Sequence, residues 1–111
     1  MTYSFGWQHD ARFAKVDRWD GYAISVFDNA YNGPDKPTRS RSRGLLLGLD
    51  EAAMTATVLG SYDSTVPGRT GAKGSMKVLP NEHALVGFGQ MSWITEYAPD
   101  ETPLMSVQYG F

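Results

Sequence analysis

The chain has 111 residues, a formal net charge of −2 and no cysteine. That is one small domain, with no disulfide framework or thiolate metal site, and without the basic face that neutralises phosphates in a nucleic-acid binder. No apolar run approaches the ~20 residues that span a bilayer, and the opening MTYSFGWQHD lacks both the basic and the apolar stretch of a signal peptide.

Twelve glycines, six prolines, three tryptophans, six tyrosines and five phenylalanines point to many short strands joined by tight turns. In chain order, FGWQHDARFA reads as a strand and KVDRWDG as a turn. YAISVFDN is the second strand, and AYNGPDKPTRSRS is a long polar loop. RGLLLGLD and TATVLGSYD are strands three and four, and DEAAMTA, bounded by these strand-like segments, is the only stretch with helical character. After the loop STVPGRTGAK come GSMKVLP, the Pro-Asn turn LPNEH, ALVGFG, WITEYA and LMSVQYGF. The reading is all-β, with eight strands in two groups of four.

The two groups resemble each other. In each, an apolar third strand leads through an Asp-Glu turn (Asp50-Glu51, Asp100-Glu101) to a fourth strand ending in tyrosine (Tyr62, Tyr109). Similarity at a period near 50 residues marks a repeat, and four strands per repeat make a β-propeller blade. Gly87 and Gly89, set in a strand, fit a crowded axis or a bulge. A single eight-stranded sandwich or barrel is the alternative.

Several residues carry possible chemistry. His9 is one of only two histidines. An imidazole can donate to developing negative charge or move a proton near neutrality, or it can be a strand histidine donating to a carbonyl. Asp10 and Arg12 are expected to form a same-face structural ion pair. Asn29, at the end of the second strand with Asp28, is either a ligand contact or a turn residue. Arg39, Arg41 and Arg43 alternate, so an extended segment would aim all three one way, at an anion or at solvent. Arg43 joins His9 and Asn29 as the ligand-binding candidates. GRTGAKGS lacks phosphate-loop spacing and is read as a connection between blades. Trp7, Trp19 and Trp93 either stack on a ligand or pack the blades. No metal-ligand spacing and no Gly-x-Ser-x-Gly elbow occurs.

WQHDAR, ISVFDN, SRGLLLGLD, MTATVLGSY and GSMKVLPNEHALVGFGQMSWITEY, in that order and spacing, resemble the arylsulfotransferase family, in its fungal and actinobacterial branch. Gln8-His9-Asp10, Phe27-Asp28-Asn29 and the run from Val78 to Gly89 carry the likeness. The resemblance implies a six-bladed propeller that moves a sulfuryl group between phenols through a sulfated histidine. It implies no nucleotide cofactor, an extracytoplasmic setting, and a central channel lined by histidines, an arginine and an asparagine. His9 then matches a sulfate-contacting histidine rather than the nucleophile, and Asn29 matches the asparagine of the FDN motif. The family arginine that follows FDN has no close counterpart, the next basic residues being Lys36 and Arg39. No nucleophilic histidine is matched, and His83 falls in a turn.

The chain is thus expected to be one two-blade unit, with blade one over about 3–63 and blade two over about 72–111. Two blades leave two apolar faces uncovered, and repeat units need neighbours. A cyclic homotrimer would supply six blades, with a small anionic or phenolic ligand at the channel. The rival function is a non-catalytic scaffold or small-ligand and glycan-binding module. Neither a nucleic-acid nor a membrane partner is expected.

Overall fold

The computed structural model describes residues 6, 8–31 and 37–109. Trp7 and Lys36 lie outside them. The described residues form two four-stranded antiparallel sheets, each in simple sequential order, with one 3₁₀ turn, Gly89–Met91, as their helical content. The first sheet contains β1 (His9–Ala14), β2 (Ala23–Asp28), β3 (Arg43–Asp50) and β4 (Thr55–Asp63). The second contains β5 (Ser75–Val78), β6 (Ala84–Gly87), β7 (Trp93–Tyr97) and β8 (Pro103–Gln108). The strands β3 and β4 cover the RGLLLGLD and TATVLGSYD segments residue for residue. DEAAMTA forms no helix: Asp50 ends β3, residues 51–54 turn, and Thr55 and Ala56 begin β4. The four-residue span between paired Asp50 and Thr55 is too short for one.

Alternation decides which side chains meet. In β2, Ala23, Ser25 and Phe27 look toward the second sheet, and their neighbours in register, Gly48, Leu46 and Gly44, share that face. From the second sheet Met76, Ala84, Val86, Phe88 and Tyr97 come to meet them, and together with Leu46 and Tyr62 they form the buried core. Phe27 and Phe88 pack edge to face with ring centres 5.7 Å apart, and Tyr62 and Tyr97 meet at 5.4 Å. Glycine at 44 permits the approach: a Cβ there would lie 2.5 Å from Met76 Sδ and 2.9 Å from Val86 Cγ2. The two sheets account for the molecule's short dimension of 19 Å, since sheets stack about 10 Å apart.

The manner of stacking separates the alternatives left open by the sequence. The sheets share no strand, so they do not close a barrel. For L-residues, the neighbour toward which a backbone bonds fixes the face its side chain takes. In β2 the even-numbered residues bond toward β3, as Leu49 N donating to Tyr22 O shows, and their side chains look away from the second sheet. In β6 the even-numbered residues bond toward β7, as Phe88 N donating to Trp93 O shows, yet Ala84 and Val86 look toward the first sheet. The sheets therefore stack front to back, with β5 lying against β1 and β2. That is the relation of successive propeller blades, not of the two facing halves of a sandwich.

Front-to-back stacking leaves two faces open. On the back of the first sheet, Phe13, Ile24, Leu47 and Val58 form one register row across all four strands, and Phe13 is 78% exposed. On the front of the second, Ile94 sits beside Val107 and Glu96 beside Met105, with Met105 50% and Val107 45% exposed.

Candidate functional site

His9 opens β1 opposite Phe27 and so shares the front face of the first sheet. The register shifts between His9 and Arg12, at Asp10, whose φ is +57°. This bulge turns Asp10 toward Arg12, giving the expected ion pair, Nε to Oδ1 at 2.7 Å. The other carboxylate oxygen of Asp10 accepts from Met76 N at 3.3 Å, so the pair also ties the two sheets together.

His9 Nδ1 lies 2.5 Å from Asn29 Oδ1. The asparagine orientation is set by its amide nitrogen, which donates to Thr70 O and Lys73 O, both at 2.8 Å. The oxygen it offers to His9 is thus an acceptor, and His9 Nδ1 carries the proton. The other ring nitrogen, Nε2, is left as the basic atom of a half-buried imidazole. Asn29 itself is fully buried. It clamps the end of β2 to the segment between β4 and β5, together with Ser42, whose hydroxyl donates to Asn29 O and accepts from Thr70 N. Thr70 continues the chain by donating to Ala72 O and accepting from Gln90 N. Residues 64–74 are therefore an inter-sheet connection, as the GRTGAKGS spacing indicates.

The three alternating arginines do not converge on a common point. Arg43 lies on the back of the first sheet, its Nε 2.9 Å from Asp28 Oδ2, with the two side chains 8% and 0% exposed. Asp28 Oδ1 accepts from Gly6 N and Ala30 N. Arg43 Nη1 donates to Ser61 Oγ at 3.2 Å, and Ser61 donates to Asp63. Arg39 grips the Asp63 carboxylate with both terminal nitrogens, at 3.0 and 2.9 Å. Arg41 donates to Ser64 O at 2.7 Å. Arg39 ties the long loop to β4 and Arg41 ties it to the connection, whereas Arg43 ties β3 to β2 and β4. The structure brings His9 and Asn29 together and sets Arg43 on the other face.

The remaining sequence candidates pack. Trp19 and Trp93 lie against the core, and Trp19 Nε1 donates to Leu49 O. His83, in the turn after β5, sits 2.7 Å from Glu96 Oε2. At the joint between sheets, burial pushes the Tyr62 phenol up in pKa, with Arg18 pulling it partly back. Burial raises Tyr97 further, and its hydroxyl donates to Asp63 O. Among the described residues no group of three His, Asp or Glu side chains is placed to hold a metal ion.

Thr70, Ser61 and Asp63 were not legible as partners of this region. Ser42 was half legible: its alternation with the arginines puts it on the opposite face, which is where it meets Asn29. No local pattern announces Thr70, which is 41 residues from the asparagine it receives.

The profile of the arylsulfotransferase (ASST) family matches residues 1–110. No curated protein and no solved structure matches the chain. The match spans nearly every residue, and the chain belongs to this family.

Proposed function

We propose, from its membership of the arylsulfotransferase (ASST) family, that this chain is a two-blade module of a sulfuryl-handling β-propeller, with His9 as the ligand-facing group of its channel wall. The observation that carries the reading is the front-to-back stacking of two sheets with one open apolar face at each end. Each open face has its match inside the molecule, since the front of sheet one already packs on the back of sheet two. Repeating that joint builds a ring when the rotation closes. Six blades then correspond to three such pairs, which three copies of the chain would supply as a cyclic homotrimer. The setting is extracytoplasmic, as is general for the family.

His9 supplies the chemistry. With its Nδ1 proton held by Asn29, Nε2 accepts a proton from an acceptor phenol or, once protonated, donates to a sulfuryl oxygen. Asn29 is a positioning residue that fixes the tautomer. Arg43, spent on Asp28, holds the end of β2 in place and reaches a ligand only through that strand. His83 stands at the opposite end of the sheets with Glu96, so one chain offers a single histidine for this wall. Binding of sulfate or an aryl sulfate at His9 is therefore the primary activity of the module. Sulfuryl transfer between phenols follows where a second histidine is supplied by the rest of the ring.

Two measurements test this. Sedimentation of the chain is expected to give three times its 12.2 kDa mass; a folded monomer removes the ring. Incubation with 4-nitrophenyl sulfate and a phenol acceptor is expected to release 4-nitrophenol only while His9 is intact. Binding of the ester that His9→Ala abolishes, without release, supports the second reading, a non-catalytic binding module. That reading draws on the occupied state of Asn29 and Arg43. Binding that His9→Ala leaves unchanged removes both.

A further inference from the structure

The second sheet carries a charge where the first carries apolar packing. Asp28–Arg43 and Phe88–Trp93 are corresponding steps of the two sheets. Three residues inward from each lie Ser25–Leu46 and Leu85–Glu96, again register partners. Glu96 therefore stands on the front of the second sheet where Leu46 stands on the front of the first. Leu46 is 1% exposed, buried in the joint between the sheets. Glu96 shares its open row with Lys77, Leu85 and Met105. Its Oε2 lies 2.7 Å from His83 Nδ1, and the two side chains are each 26% exposed.

The joint inside the chain fixes what a repeat of it brings to Glu96. A Cβ on Gly44, the register partner of Phe27, would meet Met76 and Val86, so that front row stacks on the Met76–Val86 back row. One step along, the Ser25–Leu46 row stacks on the row of Val78, Ala84 and Tyr97. In the first sheet the corresponding back row is Phe13, Ile24 and Leu47. A second copy laid on the open front in the same way faces Glu96 with that apolar row. The charges on its back face, Asp28 with Arg43 and Asp63 with Arg39, are paired with one another two rows away, and Lys15 lies exposed past the end of β1. Within the second sheet Lys77 is two strands from Glu96, about 10 Å. Glu82 is held by Asp17 N and Arg18, Glu101 by Ser61 N, and Asp100 by Thr102 N. His83 is thus the one group among the described residues placed to balance Glu96 in a covered joint.

On the ring reading given above, we infer that closure of the joint between copies is proton-linked through the His83–Glu96 pair. With one proton the pair is imidazolium beside carboxylate, carries no net charge and can be covered. Without it, a net negative charge is buried against Phe13, Ile24 and Leu47, and burial of an unbalanced carboxylate opposes association. A joint that needs the proton is favoured below about pH 6.5, where an imidazole ordinarily keeps it, and is progressively lost as pH rises above that. Glu96 thereby makes the contact between copies switchable, while the Leu46 joint inside each chain is permanent.

Sedimentation equilibrium of the 111-residue chain, run from about pH 5.5 to about pH 8.5 on either side of the imidazole range, tests this. The concentration at which half the chain is assembled is expected to rise at least about tenfold across that span. Glu96→Leu, which copies Leu46 of the other sheet, is expected to assemble at the upper pH as tightly as the parent does at the lower, with no pH dependence. Glu96→Gln is expected to flatten the dependence as well. His83→Gln keeps the carboxylate and removes the proton carrier, and is expected to assemble at least about tenfold more weakly than the parent at the lower pH. A trimer equally tight across the range, a trimer that tightens as pH rises, or a parent-like dependence retained in both Glu96 variants overturns the proposal and leaves the ring standing. A monomer at every pH overturns the ring and the proposal together, so the two failures are told apart.

Discussion

The two sheets end their second strands in the same place and in opposite ways. In the first, Asp28 pairs with Arg43 across to the third strand, and the pair is buried with its hydrogen bonds supplied by Gly6, Ala30 and Ser61. In the second, Phe88 bonds to Trp93 at the corresponding step, and Phe88 is buried against Phe27 of the other sheet. A sheet whose back is covered by a neighbour can end in aromatic packing. The first sheet ends its second strand in charges, because the N–H groups of Gly6 and Ala30 that meet it there need an acceptor. The difference follows what each end meets: the second sheet's Phe88 meets the first sheet, while the first sheet's Asp28 and Asp63 meet Gly6, Ala30 and Arg39.

The largest break in that comparison comes from Arg43→Ala. It leaves Asp28 buried without its cation, and a loss of about 3–5 kcal/mol in denaturant unfolding is expected. The double variant Asp28→Leu, Arg43→Met is expected to lose less than the single one. A double variant as unstable as the single one would mean that the loop, not the charge pair, sets the stability of this end.

Next in size is the joint itself. Gly44→Val places methyl groups where Met76 and Val86 already sit, and a loss of about 1–3 kcal/mol is expected. On the open front of the second sheet, Val107 is 45% exposed and sits beside its register neighbour Ile94 at the edge strand, so Val107→Thr disturbs little within one chain. It is expected to leave unfolding within about 0.5 kcal/mol while weakening the proposed trimer in sedimentation.

Asn29→Ala removes a donor from the buried Thr70 carbonyl and one from the partly buried Lys73 carbonyl, at a cost of about 1–3 kcal/mol. It also frees the Nδ1 proton of His9, so nitrogen NMR of the ring is expected to show mixed tautomers. Gln90, whose side chain is exposed beside the same connection, is the control: Gln90→Ala is expected to change stability by less than about 0.5 kcal/mol.

The smallest effect appears only at high pH. Tyr62 and Tyr97, one from each sheet, have phenols raised by burial. The unfolded phenol ionises near pH 10, so the unfolded chain releases these protons first. Their contribution is whole below about pH 10 and is lost as pH rises toward the folded values. Ultraviolet titration of phenolate is expected to show two late-ionising tyrosines, Tyr97 the later. Phenols that all titrate together near pH 10 would contradict the buried joint.

Much of this molecule was legible in the chain. Strand periodicity and turn residues located the eight strands, because alternation of apolar residues and the placement of glycine, proline and asparagine are local effects. The FDN and QHD motifs located one end of the first blade. The arginine triplet was misleading in a specific way. Alternation places Arg39, Arg41 and Arg43 on one side only if the segment is a straight strand, but strand β3 begins at Arg43. The two earlier arginines turn with the loop and find separate partners.

Composition and order thus determined the eight strands, their grouping by fours and the pairing of Asp10 with Arg12, since each follows from residues near one another in the chain. The tertiary structure alone decided that the sheets stack front to back, that Arg43 is spent on Asp28, and that His9 carries its proton on Nδ1. Those depend on groups up to 66 residues apart, brought together by burial of the shared core, and no local pattern encodes which distant carbonyl or carboxylate will be there to receive them.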